Sequence, residues 1–155
     1  MSLLLFQVGM GAAGSGASGS LTPLAWESWS RAAALNASSS GTSVLWDTAG
    51  ATSGGGMRDG TNTDRFNVPT GASFAVVSFK AQCSAGSTGD VTANIKVNGT
   101  TVRTFKHWGQ YWGPFRAEGV IPVSSGDYIT FEVVPTATYA LYVGQNITSC
   151  SVRVF

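Results

Sequence analysis

Residues 106–116, Lys-His-Trp-Gly-Gln-Tyr-Trp-Gly-Pro-Phe-Arg, gather Trp108, Tyr111, Trp112 and Phe115 among the polar side chains of Lys106, His107, Gln110 and Arg116. Flat aromatic rings with a polar rim can stack on sugar rings or form the hot spot of a protein contact, because they supply contact area at low entropic cost. The candidate ligand-binding residues are therefore His107, Trp108, Tyr111, Trp112, Phe115 and Arg116. Large aromatics equally serve as core, packed on a subunit axis or closing the end of a domain. Both uses stay open on sequence alone.

Other chemistry is thinly supplied. Asp59, Asn62 and Asp64 share the glycine-rich stretch 54–74, but the Asp-x-[Asp/Asn]-x-[Asp/Asn]-Gly order of a calcium loop is missing and no Glu closes it. That stretch reads instead as a crossing at the domain end that delivers Arg65, Phe66 and Val68 into a strand, with Pro69 at the strand's end. Two cysteines and one histidine cannot complete a four-ligand zinc site within one chain, so no metal is expected. His107 has no Cys or Ser in a nucleophile-elbow context near it. The carboxylates are scattered over turn positions (Asp47, Asp59, Asp64, Asp90, Asp127) and strand surfaces, leaving few candidates for a paired-carboxylate glycosidase. The expectation is a protein that is not an enzyme and uses no cofactor. Asn-x-Ser/Thr sequences at Asn36, Asn98 and Asn146 would matter only in a eukaryotic secretory pathway.

Composition narrows the partners. Charged residues make up 11% of the 155, and the net charge is +1, so the chain lacks the basic stripe that phosphate binding requires; nucleic acid is not an expected partner. No stretch approaches the ~20 apolar residues of a membrane span, and membrane insertion is not expected. Residues 1–20 combine an apolar tip, Leu3, Leu4, Leu5, Phe6 and Val8, with the Gly/Ala/Ser-rich linker 9–20. No Lys or Arg precedes Arg31, which argues against a secretory signal. An apolar tip on a flexible arm is unfavourable in water. It must either fold back on its own domain or dock into another subunit or a larger assembly, with Leu3, Leu4, Leu5 and Phe6 as the docking residues.

The elements that would position these residues are strands. Gly is abundant and period-two patterning dominates from Val68 onward. In 72–83, Ala75, Val77, Phe79, Ala81 and Cys83 alternate with Phe74, Val76, Ser78, Lys80 and Gln82. Ala93, Ile95 and Val97 alternate with Thr92, Asn94 and Lys96, and the chain then turns at Asn98-Gly99, a pair suited to a type I′ hairpin. Ile129, Phe131 and Val133 repeat the pattern, as do Cys150, Val152 and Val154. Residues 22–39 are ambiguous: Thr22 can cap a helix with Pro23 at its first position, and Trp26, Trp29 and Ala33 stand at helical spacing. The fold class is all-β, a sandwich or barrel.

The run from Trp29 to Phe155 resembles the trimeric jelly roll shared by tumour necrosis factor and the globular heads of complement, in the variant found in bacteriophage structural proteins. The likeness lies in the order of AAALNASSSGTSVLWDTAG, GGGMRDG, NTDRFNVP, GASFAVVSF, KVNGTTVR, VSSGDYITFEV and CSVRVF. GASF stands where Gly-x-Tyr is usual, and the aromatic stretch after the central hairpin is a further departure. The resemblance implies a jelly-roll β-sandwich of about 8–10 antiparallel strands over 21–155, a homotrimer, and a strand reading for the ambiguous segment. It also implies that Cys83 and Cys150 approach each other on neighbouring strands, as a disulfide or as adjacent reduced thiols.

The function it implies is that of a non-enzymatic phage virion protein, made in the host cytoplasm and displayed on the particle surface. In that role the arm would hold other virion proteins, and the trimer would attach to a host-surface glycan or protein as a tail fibre or head spike. A capsid decoration protein and a secreted trimeric ligand or lectin-like module are the alternatives.

Overall fold

The computed structural model describes residues 21–33, 35–54, 56–82, 90–107, 115–136, 139–141 and 148–155. Its strands are β1 (Ala25–Ser30), β2 (Leu35–Ala37), β3 (Thr42–Ser43), β4 (Thr48–Ser53), β5 (Phe66–Asn67) and β6 (Phe74–Ala81), followed by β7 (Val91–Val97), β8 (Thr100–His107), β9 (Phe115–Pro122), β10 (Tyr128–Pro135), β11 (Tyr139–Leu141) and β12 (Ser149–Val154). One five-stranded sheet runs β4-β1-β12-β6-β9, and a second runs β3-β10-β7-β8 with β5 also on β10. β2 pairs with β11. All these pairings are antiparallel, and no helix occurs among the described residues.

The period-two pattern is what builds the core. Ala75, Val77, Phe79 and Ala81 are buried on β6, as are Ile129, Phe131 and Val133 on β10 and Cys150, Val152 and Val154 on β12. Their alternate neighbours stand on the outer faces of the sheets. Trp46, between β3 and β4, sits in the middle of the sandwich with no exposure. Its ring meets Phe131 edge-on at 5.8 Å and Phe79 at 6.0 Å, with Phe66 tilted at 6.4 Å. Such edge-to-face arrangements suit the charge distribution of aromatic rings.

The segment with helical spacing is a strand. β1 pairs with β12 from Ala25↔Val154 to Ser30↔Ser149 and with β4 on its other side. Two neighbouring strands satisfy its backbone on both edges, and this outweighs a local propensity of a few tenths of a kilocalorie per residue. The expected hairpin is present: Asn98 and Gly99 have φ of 51° and 78°, the left-handed pair of a type I′ turn. Asn98 Nδ2 donates to Asp127 at 2.6 Å, and Tyr128 N donates to Asn98 Oδ1 at 3.0 Å.

The glycine-rich stretch is tied down by a residue far away in sequence. Glu27 is 2% exposed and accepts from Met57 N at 2.9 Å, Arg58 N at 3.0 Å and Trp29 Nε1 at 2.9 Å. The Arg58 guanidinium lies 4.4 Å over the Trp29 ring, and Arg58 bridges to Phe66. Phe66 then enters β5 as expected, but β5 is only Phe66–Asn67, so Arg65 and Val68 flank the strand and Pro69 lies two residues past its end. Asp59 organises the tip by accepting from Thr61 N at 2.8 Å and Asn62 N at 2.9 Å.

Those backbone bonds, from Asn62 and Thr61, lower the Asp59 carboxyl from 3.8 to about 2. Because the folded value is depressed, its contribution to stability is present above the unfolded value and fades as pH falls through about 2. An NMR titration should place the Asp59 midpoint near 2. A midpoint near 3.8 would mean that the tip is not closed in this way.

Candidate functional site

The topology sets two ends. β1 begins beside the last strand, with Leu24 N donating to Val154 O at 2.8 Å, so residues 1–20 join the domain at the end that also carries the Asn98-Gly99 turn. At the opposite end stand Ala81, Val91, His107, Phe115, Pro135 and Ser149, the strand termini that flank residues 83–89, 108–114 and 142–147. The eight-residue β6–β9 pairing, from Phe74↔Pro122 to Ala81↔Phe115, spans ~23 Å between the ends at 3.3 Å per residue. The arm and the aromatic stretch therefore meet the domain at opposite ends.

Trp108, Tyr111, Trp112, Cys83 and the arm residues Leu3, Leu4, Leu5 and Phe6 lie outside the described residues. The structure separates the remaining members of the aromatic stretch. Phe115 is a core residue, 5% exposed, with its ring edge-on to Phe79 at 5.8 Å. His107 is half-buried and stacks on Phe115 at 6.1 Å between ring centroids. Arg116 is exposed beside Lys80, its partner across β6 and β9.

β6 and β12 are neighbours as the resemblance implied, with Cys150 opposite Phe79. Cys150 is a free, buried thiol, and burial pushes its pKa well above the usual range. In the native protein it should resist alkylation at pH 8 and react fully in denaturant, read by peptide mass after iodoacetamide. Rapid native labelling of Cys150 would contradict the burial.

The outer faces of the two sheets differ in kind. On the second sheet Asn94, Lys96, Thr104 and Glu132 bond to one another across β7, β8 and β10. On the five-stranded sheet a row of small hydroxyls crosses the middle, Ser28, Ser151 and Ser78 in register, with Ser78 Oγ and Ser151 Oγ 3.0 Å apart. Towards the end where β1 begins, the same face carries exposed apolar side chains around Arg153. Val76 and Val120 are cross-strand neighbours, 38% and 53% exposed, and Phe74 stacks on Phe155 at 4.9 Å. A hollow of about 420 Å³ lies on this face, lined by Val76, Ser78, Glu118, Val120, Ser151 and Arg153. Apolar side chains clustered at outward positions mark a surface suited to a partner.

Alternation in the sequence identifies Val76 as outward, and two valines in a row in Ala-Val-Val-Ser were the available sign that this face is not wholly polar. Glu27 carried no such sign, since its donors come from residues 57 and 58. Among the described residues no cluster of His, Cys, Asp and Glu could hold a metal ion.

No protein-family model matches the chain, and no curated protein matches it in sequence. Solved structures do match in shape. A crystal structure of murine APRIL superposes with a TM-score of 0.67 at 13% identity, covering 84% of this chain and 98% of that one. The globular domain of zebrafish complement 1qA gives 0.56 at 14% identity over 84% and 95%. Pika GITRL gives 0.52 at 7% identity over 84% and 94%. What is shared at such identities is the fold, the jelly roll of tumour necrosis factor and the complement heads.

Proposed function

We propose that this protein is a non-enzymatic bacteriophage virion protein, a homotrimeric appendage that attaches the particle to a glycan or protein on the host surface. The observation that carries this reading is that the start of β1, which follows residues 1–20, and the strand termini His107 and Phe115, which flank 108–114, stand at opposite ends of a sandwich ~23 Å long along the β6–β9 pairing. A chain held by its arm to other virion proteins presents the 107–116 end outward. Trimerisation is supported by the exposed valines Val76 and Val120 on the five-stranded sheet's outer face. Three copies would repeat each weak contact with the host surface, and avidity then offsets a low single-site affinity. The step from fold to virion rests on the order of sequence motifs and is an analogy.

Light scattering at several concentrations tests the trimer, and a strict monomer would remove the reading. Deleting residues 1–20 should leave a folded trimer that no longer joins particles. Binding of the intact protein to host cells or their polysaccharide is the expected result. Binding to purified capsids alone would replace attachment by capsid decoration, and recovery of a processed, secreted form would favour a secreted trimeric module.

A further inference from the structure

Asn94 and Lys96 stand two residues apart on β7 and share the outer face of the second sheet, where Glu132 of β10 lies opposite Asn94. Lys96 Nζ donates to Glu132 Oε1 at 2.5 Å, and Asn94 Nδ2 donates to Oε2 at 2.9 Å. On the far side, Thr104 Oγ1 of β8 donates to Asn94 Oδ1 at 3.0 Å. One carboxylate thus holds an amine and a primary amide side by side, with a hydroxyl on the amide's carbonyl oxygen. The Glu132 end of the cluster is covered, since a methyl group added at Gly41 would come within 2.8 Å of Glu132 Oε1 and the Lys96 and Glu132 side chains keep only 21% and 15% of their exposure, while Thr104 at the other end is exposed. Nucleophile, proton carrier and oxyanion donor are the parts that acyl transfer requires.

We propose that Lys96 and Asn94 become joined by a self-catalysed amide bond, with Glu132 as the catalytic residue. Glu132 takes a proton from the Lys96 ammonium, and the freed amine attacks Asn94 Cγ. The Thr104 hydroxyl bonds the oxygen as negative charge develops on it. Glu132 then returns that proton to Nδ2, the Cγ–Nδ2 bond breaks to release ammonia, and Glu132 relays a second proton from the attacking nitrogen to it, so that a neutral amide N–H remains and an ammonium ion carries off the lysine's charge. One amide replaces another, so no oxidant or reductant enters. The reach is adequate, because the extended lysine chain and the short asparagine chain together exceed the ~7 Å between alternate residues of a strand.

Intact-mass measurement of the purified, incubated protein tests this. The expected result is a chain lighter by one ammonia, and a tryptic peptide 81–103 uncut at Lys96. Lys96→Arg keeps the ion pair but cannot form the link, and should retain full mass. Glu132→Gln should also retain full mass; if it does not fold, wild type and Lys96→Arg alone decide. Full mass in the wild type with normal cleavage after Lys96 overturns the proposal and leaves an ordinary ion pair. So does a loss of ammonia that persists in Lys96→Arg with Lys96 cleavable in the wild type, because a succinimide at Asn98-Gly99 would produce it.

Discussion

Replacing Val76 and Val120 together by Asp should turn a trimer into folded monomers. The two side chains are neighbours across β6 and β9, point away from the core and are 38% and 53% exposed in the single chain. In the monomer the double change is a surface substitution, within about 0.5 kcal/mol per site apart from mutual repulsion. In a trimer built on this face, each subunit would bury two added carboxylates in a hollow where Glu118 already stands and where Arg153, across from position 76, can compensate one charge at most. An uncompensated charge in an interface costs several kilocalories per mole after relaxation, more than enough to dissociate subunits at micromolar concentration. Light scattering reads the dissociation, and circular dichroism confirms that the sandwich persists. Thr92→Asp, on the outer face of the other sheet, is the control and should leave the trimer intact. A variant that stays trimeric would place the contact on another surface. A variant that unfolds would show that Val76 and Val120 support the fold itself.

The contrast between these two faces explains how far the sequence could be read. Strands β6, β7, β10 and β12 were legible because each carries a clean alternation, such as Ala75, Val77, Phe79 and Ala81, and the period alone fixes which side is buried. The Asn98-Gly99 turn was legible because its φ values are ones that few other residue pairs tolerate. β1 was not, since Thr22, Pro23 and the tryptophan spacing describe a good helix start, and the strand exists only through β4 and β12. The anchoring of the loop by Glu27 joins residues 30 positions apart, beyond the reach of any local pattern. Within the candidate site, alternation does not say that Phe115 turns into the core while Arg116 faces out; their positions on β9 decide it. That the start of β1 and the termini His107 and Phe115 stand at opposite ends is likewise a property of strand pairing, set by registers no single segment contains.

Trp46→Ala should be the most damaging single change to the fold, and Trp46→Phe should be mild. The indole is fully buried between Phe66, Phe79 and Phe131, so truncation leaves a cavity bounded by rings from both sheets. Large aromatic-to-alanine changes in such sites cost about 3–5 kcal/mol. For a domain of this size that corresponds to a fall in Tm of ~10 °C or more. Phenylalanine retains most of the ring contacts. It also removes the Trp46 Nε1 donor, which is buried with no acceptor among the described residues and so carries a desolvation cost in the wild type. Lost volume and relieved donor act in opposite directions, so Trp46→Phe should shift stability by about 1 kcal/mol. Urea denaturation of the three proteins, run on the monomeric Val76/Val120 variant background to separate folding from assembly, measures both effects. A Trp46→Phe cost approaching that of alanine would mean that the indole N–H has an acceptor in solution, which would be a water molecule held inside the sandwich.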